Sequence, residues 1–244
     1  MTDPLPPPER KASYVREMFS RIARHYDLMN RLMTFGRDRV WRRYAVEQAI
    51  PASSHKGQAG RILDVATGTG ELALEVLRQH ADLQVVGLDF VPEMLAQAQQ
   101  KAVDAGTAVD LLAGDALRIP FTDGTFDAIV TGFALRNVTN IPAAFSEMAR
   151  VTRSGGRIAC LEIAKPRLPL FCHLYAFYFF RLVPLLGGWI AGQRLAYTYL
   201  PHSLTTFLTP DEIATVMGQA GWHDVSYRRL MLGTVVLHVG VREL

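Results

Sequence analysis

Asp64, Gly68, Thr69, Gly70 and Glu71 fall in one short stretch, between an apolar run, Arg61–Ala66, and a segment with apolar residues at helical spacing from Leu72 to Leu77. Glycine lets a ligand approach the backbone closely, and the first turn of a helix presents unpaired N–H groups. Strand, glycine turn and helix start therefore form the binding corner of a doubly wound α/β sheet. Gly68-Thr69-Gly70-Glu71-Leu72-Ala73 also satisfies G-x-G-x-x-A, which admits a dinucleotide. The two carboxylates that flank the turn, Asp64 and Glu71, weigh against a pyrophosphate, because each opposing charge at contact distance is worth about 1 kcal/mol or more. They favour a ligand with a cationic amino group and a sulfonium, S-adenosylmethionine. A turn that binds nothing explains the acids less well.

Further along, Asp89 ends the run Gln84–Asp89, nineteen residues after Gly70. A carboxylate there can accept both ribose hydroxyls of a bound nucleoside. It can also cap the helix that Pro92 opens. Asp115, just past Val109–Ala113, is placed to take an adenine amino group, with the Ala116 N–H near the ring; a turn or cap is the plainer role. Phe90 can stack on adenine or simply pack. Arg136 and Asn137 follow the run Phe126–Gly132 and so face the crevice outside the strand ends. An arginine stays protonated near neutrality, which makes it a poor base but a good partner for a developing oxyanion. Asn137 can donate or accept. Alone, an arginine at a helix start is as often a surface residue. His238, inside an apolar run, reads as a core histidine. His25, beside Tyr26 and Asp27, reaches the crevice only if its helix covers it. The histidines form no Ser-His-Asp or zinc pattern, and no metal is expected. Cys160 and Cys172 lack metal spacing and point to a reducing compartment.

These groups need a framework, and the chain supplies one alternating pattern. Strands are expected at Arg61–Ala66, Gln84–Asp89, Val109–Ala113, Phe126–Gly132 and Arg157–Ala164, with helices at Glu71–His80, Pro92–Ala105 and Pro142–Val151 between them. Such alternation implies a mostly parallel sheet. A helix Pro210–Ala220 then leads to strands Val225–Met231 and Thr234–Val241, joined by Leu232-Gly233 as an antiparallel hairpin. Before the sheet, Val15, Met18, Phe19, Ile22, Tyr26, Met29 and Met33 recur at helical spacing from Ser13, and Trp41–Ile50 reads as a second helix. Both precede the first strand and are a cover for its ligand edge. Met1–Arg10, with four prolines, is expected to be disordered, and Ser53–Gly60 to be a polar linker. The domain reading is a disordered start, residues 1–12, and one domain, 13–244, with N-terminal helices over 13–51.

The chain of 244 residues, 49% hydrophobic and 20% charged, is long enough for one sizeable core. Its net charge of +3 is uneven: residues 1–43 hold ten Lys/Arg against five Asp/Glu, the rest sixteen against eighteen. A basic N-terminal region fits an anionic membrane surface, an acidic substrate, nucleic acid or a solvated helix face. Leu168–Ala191 is the most apolar stretch, with seven aromatic residues and no acid. Arg181, His173, Pro184 and Gly187-Gly188 interrupt it, and a central arginine costs on the order of 2.5–3.5 kcal/mol on insertion scales. A helical lid or an interface helix is expected there, with a buried core helix as the alternative. The Pro-rich polar start shows no secretory pattern.

The residues Phe19-Ser20-Arg21-Ile22-Ala23-Arg24-His25-Tyr26-Asp27-Leu28-Met29-Asn30, continuing through Leu32–Gly36 to Trp41-Arg42-Arg43, resemble the signature of the UbiE/MenG family, the C-methyltransferases of ubiquinone and menaquinone biosynthesis. Leu135-Arg136-Asn137-Val138-Thr139 and Leu161-Glu162-Ile163-Ala164-Lys165-Pro166 are similar to its further signatures, and Tyr197–Leu204 and Gly233–Gly240 continue the likeness. The resemblance runs from about Ser13 to the C-terminus. It implies a class I, Rossmann-like S-adenosylmethionine-dependent methyltransferase: a seven-stranded, mostly parallel sheet with an antiparallel last strand, an N-terminal helical cover and a helical insertion over 166–201. It also implies that Thr69, Asp89, Asp115 and Ala116 contact the cofactor, that Arg136 and Asn137 are the catalytic pair, and that Tyr26, Asp27 and Tyr197 face the substrate. Thr67 stands where a glycine is common, Ala134 replaces a glycine, and Gln193-Arg194 replace an often acidic stretch.

The leading expectation is thus methyl transfer from S-adenosylmethionine to a ring carbon of a polyprenyl hydroquinone, demethylmenaquinol before the corresponding benzoquinol. The alternatives are another hydrophobic acceptor, RNA, or a binding subunit without activity. No RNA-binding module is recognisable, and no nucleic-acid partner is expected. A cytoplasmic protein that visits the inner membrane face is expected, since the substrate's tail stays in the bilayer; a homodimer is compatible with this reading.

Overall fold

The computed structural model describes residues 5–50, 60–166 and 169–243. Residues 1–4 of the expected disordered start, and nearly all of the expected linker Ser53–Gly60, lie outside them. Among the described residues the apolar runs form β1 (Arg61–Val65), β2 (Gln84–Asp89), β3 (Asp110–Ala113), β4 (Phe126–Gly132), β5 (Thr152–Ile163), β6 (Trp222–Leu230) and β7 (Val235–Arg242). They make one sheet in the order β3-β2-β1-β4-β5-β7-β6. Neighbours are parallel except at β7, which is antiparallel to both β5 and β6. The chain winds outward from β1 in both directions, so the crevice at the β1/β4 switch point opens at the carboxyl ends of the strands.

The helices are α1 (Lys11–Ile22), α2 (Tyr26–Met33), α3 (Asp38–Ala49), α4 (Glu71–Gln79), α5 (Pro92–Asp104), α6 (Ile141–Val151), α7 (Pro169–Phe177), α8 (Val183–Ala191), α9 (Arg194–Thr205) and α10 (Pro210–Gln219). Successive strand residues point to opposite faces. Ile62 accordingly joins a core with α3 and α4, and Leu63 a second core with α6 and α10. A third core lies above the sheet edge, where Val15, Ile22 and Met29 of the first helices meet Phe179, Val183 and Tyr197. The apolar stretch is therefore neither a bilayer span nor a free lid. α7 and α8 are joined by a π-helical segment, Tyr178–Leu182, and their inner side packs on α1, α2 and α9. No helix among the described residues is long and apolar enough to cross a membrane.

Three expectations need correction. The single helix expected from Ser13 to Met33 starts earlier, at Lys11, and is broken by a 3-10 turn, Ala23–His25, that rephases α2. Only α1 and α2 form a cover; α3 is a layer helix packed on the sheet through Trp41, Ala45 and Val46. β5 begins at Thr152 and not at Arg157, because Ser154-Gly155-Gly156 form an irregularity inside the strand, with the β4 register shifting between Phe126 and Ala128. Gly155 adopts φ +74° in open space, whereas a Cβ on Gly156 would meet Thr152 Cγ2 at 2.5 Å and the Asp127 carbonyl at 2.8 Å. Gly156→Ala should therefore destabilise the fold by about 1–3 kcal/mol. Gly155→Ala should lose only about 1 kcal/mol for its left-handed backbone. Urea melts of the two variants check the order; equal losses would contradict it.

Candidate active site

Three cavities meet at the carboxyl edge of the sheet. The first is a crevice over the switch point, lined by Gly68, Asp89, Asp115, Ala116, Asn137 and Tyr26. Two of its wall residues, Ala66 (φ 56°) and Phe133 (φ 59°), hold left-handed backbone where β1 and β4 end. Strain of this kind collects at ligand sites. The second, of about 410 Å³, is almost wholly apolar and lies under α2 and α7, with Tyr26, Asn30, Arg136, Leu174, Tyr175 and Phe177 in its wall. The third, of about 30 Å³, lies between them and includes Tyr197.

Asp89 is buried at the end of β2. Its Oδ2 accepts the Gly68 N–H at 2.8 Å and its Oδ1 the Val91 N–H at 2.9 Å, so it both shapes the glycine turn and starts α5. Burial pushes its carboxyl up, against the pull of the backbone N–H groups. Each carboxylate oxygen has a second lone pair, so Asp89 retains capacity for vicinal hydroxyls presented in the crevice. Asp115 Oδ1 accepts the Leu117 N–H at 2.9 Å, which fixes the carboxylate beside Ala116. Phe90 also lines this crevice. The donor and acceptor set suits a nucleoside.

Other residues expected at the ligand are turned elsewhere. Asp64 is 1% exposed and lies beneath the turn, outside the crevice wall. Its Oδ2 accepts the Thr67 hydroxyl at 2.6 Å and the Ala73 N–H at 3.0 Å. Burial pushes the Asp64 carboxyl up to about 7. Thr67 is thus accommodated in place of the more usual glycine by an internal bond. Gly70 serves packing: it caps α4 with φ +80°, and a Cβ there would meet Ala98 at 3.0 Å. The Thr69 hydroxyl donates to Asp27 Oδ1 at 2.6 Å, and Lys101 Nζ pairs with Asp27 Oδ2 at 2.6 Å and with Glu71 Oε1 at 2.7 Å. Burial raises the Glu71 carboxyl, but Lys101 and Arg42 outweigh it and hold it low. The charge argument made from Asp64 and Glu71 is corrected accordingly: the first is sequestered, the second neutralised, and Asp89 and Asp115 are the acids that reach the crevice. Asp27 lines none of the three cavities; it pins α2 to the glycine turn. His25 lines none of them either.

Past β4, a 3-10 turn, Leu135–Asn137, separates the crevice from the apolar cavity, with Asn137 on the first side and Arg136 on the second. Ala134 has an ordinary φ of −105°, so no glycine is required before it. Glu162, 1% exposed on β5, receives the Leu135 N–H at 2.6 Å on Oε1, and its Oε2 lies 3.5 Å from Arg136 Nη1. Arg136 Nη1 also donates to the Phe133 carbonyl at 2.5 Å. Burial pushes the Glu162 carboxyl up, with Arg136 opposing. Glu162 has no role in the sequence expectations above, although a lone acid in an apolar strand is a signal for it, since a buried charge needs a partner. Lys101 carried no such signal.

The chain matches the model of the ubiE/COQ5 methyltransferase family over residues 8–242. It is 49% identical to the demethylmenaquinone methyltransferase of Roseiflexus castenholzii, over 99% of each chain. It is 42% identical to the ubiquinone/menaquinone biosynthesis C-methyltransferase UbiE of a Geobacter species, over 95% of this chain and 97% of that one. Among solved structures, a SAM-dependent methyltransferase of Thermotoga maritima, described as a possible histamine N-methyltransferase, superposes with a TM-score of 0.67 at 16% identity, covering 94% of this chain and all of that one.

The position of Asp64 has a consequence for stability. An unfolded aspartate ionises near pH 3.9, so between about pH 4 and 7 the folded state holds a proton that the unfolded state has lost. The contribution of this group therefore falls as pH rises through that window. Asp64→Asn should gain on the wild type by on the order of 1 kcal/mol or more from pH 4 to 8. Denaturant melts across the range check it; parallel curves would contradict the burial.

Proposed function

The chain belongs to the ubiE/COQ5 methyltransferase family and is an S-adenosylmethionine-dependent C-methyltransferase, and we propose that its acceptor is a polyprenyl hydroquinone, demethylmenaquinol first and the ubiquinone-pathway benzoquinol second. The observation that carries this reading is the turn Leu135–Asn137. It sets a guanidinium into the wall of an apolar cavity of about 410 Å³ and an amide into the adjoining nucleoside crevice. Asp38 and Arg42, paired with each other, also line this mostly apolar chamber, and a cation set there suits an aromatic ring that acquires negative charge on oxygen.

S-Adenosylmethionine supplies, when bound, an electrophilic methyl on a sulfonium. Asp89 would hold the ribose hydroxyls, Gly68 would bring its backbone close, and Asp115 with the Ala116 N–H would take the adenine edge. On the other side of the turn, loss of the acceptor's phenolic proton to water spreads charge onto the adjacent ring carbon. Arg136 would stabilise that phenolate, and Asn137, on the crevice side of the turn, would orient the ring where the two ligands meet. With both ligands held in this way, the ring carbon would take the methyl group, and the electron pair of the carbon–sulfur bond would leave with sulfur as S-adenosylhomocysteine. Loss of the ring proton from the methylated carbon then restores aromaticity. The reaction is mostly a matter of alignment, which a rigid turn between two cavities provides.

The prenyl tail explains the outer rim of the acceptor cavity. Phe35 is 74% exposed, Leu174 64% and Phe177 59%, and Leu182 and Met231 complete an apolar mouth drawn from three separate segments. Arg31, Arg37, Arg39 and Arg181 are exposed on the same segments. Each Lys/Arg near an anionic surface contributes about 1 kcal/mol, so a few suffice for reversible attachment. The protein would then sit on the membrane face and receive the ring from the bilayer.

Incubation with S-adenosylmethionine and either quinol in detergent should yield a product one methyl group heavier; no methylated product from either removes the quinol acceptor. Asp89→Ala should weaken cofactor binding by about 10-fold or more, as expected for hydrogen bonds to a charged group. Unchanged affinity by calorimetry would place the ribose elsewhere. Co-sedimentation with anionic vesicles should fall with added salt and with Phe35 and Phe177 changed together to aspartate. A wild type that stays in the supernatant at low salt rules out the membrane contact.

A further inference from the structure

The cavity of about 30 Å³ between the crevice and the acceptor chamber is lined by five residues that carry a buried polar atom without a hydrogen-bond partner. Asn30 Nδ2, Arg136 Nε, Asn137 Oδ1, Tyr197 Oη and Tyr199 Oη are all buried without a hydrogen-bond partner among the described residues, and all five residues line this one cavity. The remaining wall is apolar, with Met18, Phe19 and Ile22 among it. An unsatisfied buried polar group is strongly unfavourable, and five around a single small void mark a place built for an occupant. The volume admits a water or one oxygen substituent, but not a ring.

The donors decide which occupant. Four of the five can donate: the Asn30 amide N–H and the Arg136 guanidinium N–H can only donate, and burial pushes both phenols up, so they keep their protons across the working range; Asn137 Oδ1 is the one acceptor. The cavity shares Asn30 and Arg136 with the acceptor chamber and Asn137 with the cofactor crevice, so it lies where acceptor and methyl donor must meet. We propose that Asn30, Tyr197 and Tyr199, with Arg136, form an oxyanion site that receives the acceptor's ionised ring oxygen next to the carbon to be methylated, an assignment that rests on the quinol acceptor proposed above. Preorganised donors aimed at an oxygen that gains charge stabilise it without reorganisation at the moment of reaction.

Asn30 comes from α2 and both tyrosines from α9. Asn30 lies one turn beyond Tyr26 on α2, on the same face. Tyr197 lies across Gly187 of α8, where a Cβ would come within 2.1 Å of its ring, so glycine is required for the tyrosine to occupy this position. Tyr199 packs against Tyr14 of α1 at 5.5 Å between ring centroids. Tyr199→Phe keeps that packing and removes only the hydroxyl.

With saturating S-adenosylmethionine and demethylmenaquinol, Tyr199→Phe and Asn30→Ala should each lower kcat by about five- to tenfold, the size expected for one donor to the oxygen. The midpoint of the rise of kcat with pH should move upward, because the bound phenol becomes harder to ionise. Cofactor affinity should stay within about twofold, since neither residue lines the crevice, and the melting temperature of Tyr199→Phe should not fall. A purely structural role would lower the melting temperature and leave the pH midpoint in place, which would overturn the proposal. A second measurement is independent of turnover. In the presence of S-adenosylhomocysteine, 4-nitrophenol should bind as its coloured anion, with its apparent pKa lowered by the wild type and lowered less by both variants. Binding that leaves the pKa at its solution value, or no binding, overturns the oxyanion site even if quinol methylation is observed. If no quinol is methylated but the anion is bound in this way, the oxyanion site stands and the quinol acceptor fails.

Discussion

The buried Glu162 carboxylate organises the centre of this molecule. It ties β5 to the turn after β4 by accepting the Leu135 N–H, and it places a negative charge against Arg136 where both are almost wholly out of water. Without it the guanidinium would be an uncompensated buried cation, and breaking such a pair by removing one partner costs about 3–5 kcal/mol. The same contact holds the three-residue turn whose middle residue, Arg136, faces the apolar cavity and whose last, Asn137, faces the crevice. If the turn relaxed, Arg136 and Asn137 would lose their separate assignments together.

A second set of charges closes the site from above. Asp27 on α2 holds Thr69 of the glycine turn and Lys101 of α5, and Lys101 in turn holds Glu71 at the start of α4. The cover is thus joined directly to the nucleoside corner, and Tyr26, the residue before Asp27, lines all three cavities. Movement of α2 is coupled by this chain of contacts to the backbone that would meet the cofactor. The two halves of the reaction are enclosed by the same helices, which helps keep bulk water from the transferring methyl.

Much of this was legible in the residues. Alternating apolar runs located the strands because a sheet covered on both faces leaves little freedom in its pattern, and the Leu232-Gly233 turn marked the antiparallel end. Asp89, Asp115 and the Arg136-Asn137 pair were legible from their positions just past strand ends. What the pattern could not convey was direction. Asp64 and Asp89 both lie near the ends of their strands, but Asp64 pairs with Gly87, two residues short of Asp89, and its carboxylate bonds inward to Thr67 and Ala73 while that of Asp89 reaches the crevice. Thr69 is a similar case, with its hydroxyl taken up by Asp27. Helical periodicity over Ser13–Met33 survived a 3-10 turn because the buried side stays apolar on both sides of the break. Asn30 and Tyr199 were inside quoted motifs but gave no sign of their unpaired atoms, which arise only when α2, α9 and the turn are brought together.

The cradle of donors bears on where the methyl group goes as well as on its transfer. An ionised quinol offers two nucleophiles, oxygen and the adjacent ring carbon, and a cradle of donors around the oxygen should leave the carbon to react. Carbon-13 NMR of the product formed from demethylmenaquinol and S-adenosylmethionine labelled in its methyl group distinguishes them directly. A single labelled signal of an aryl methyl group is expected, on the ring carbon beside a hydroxyl. A labelled methoxy signal would contradict it.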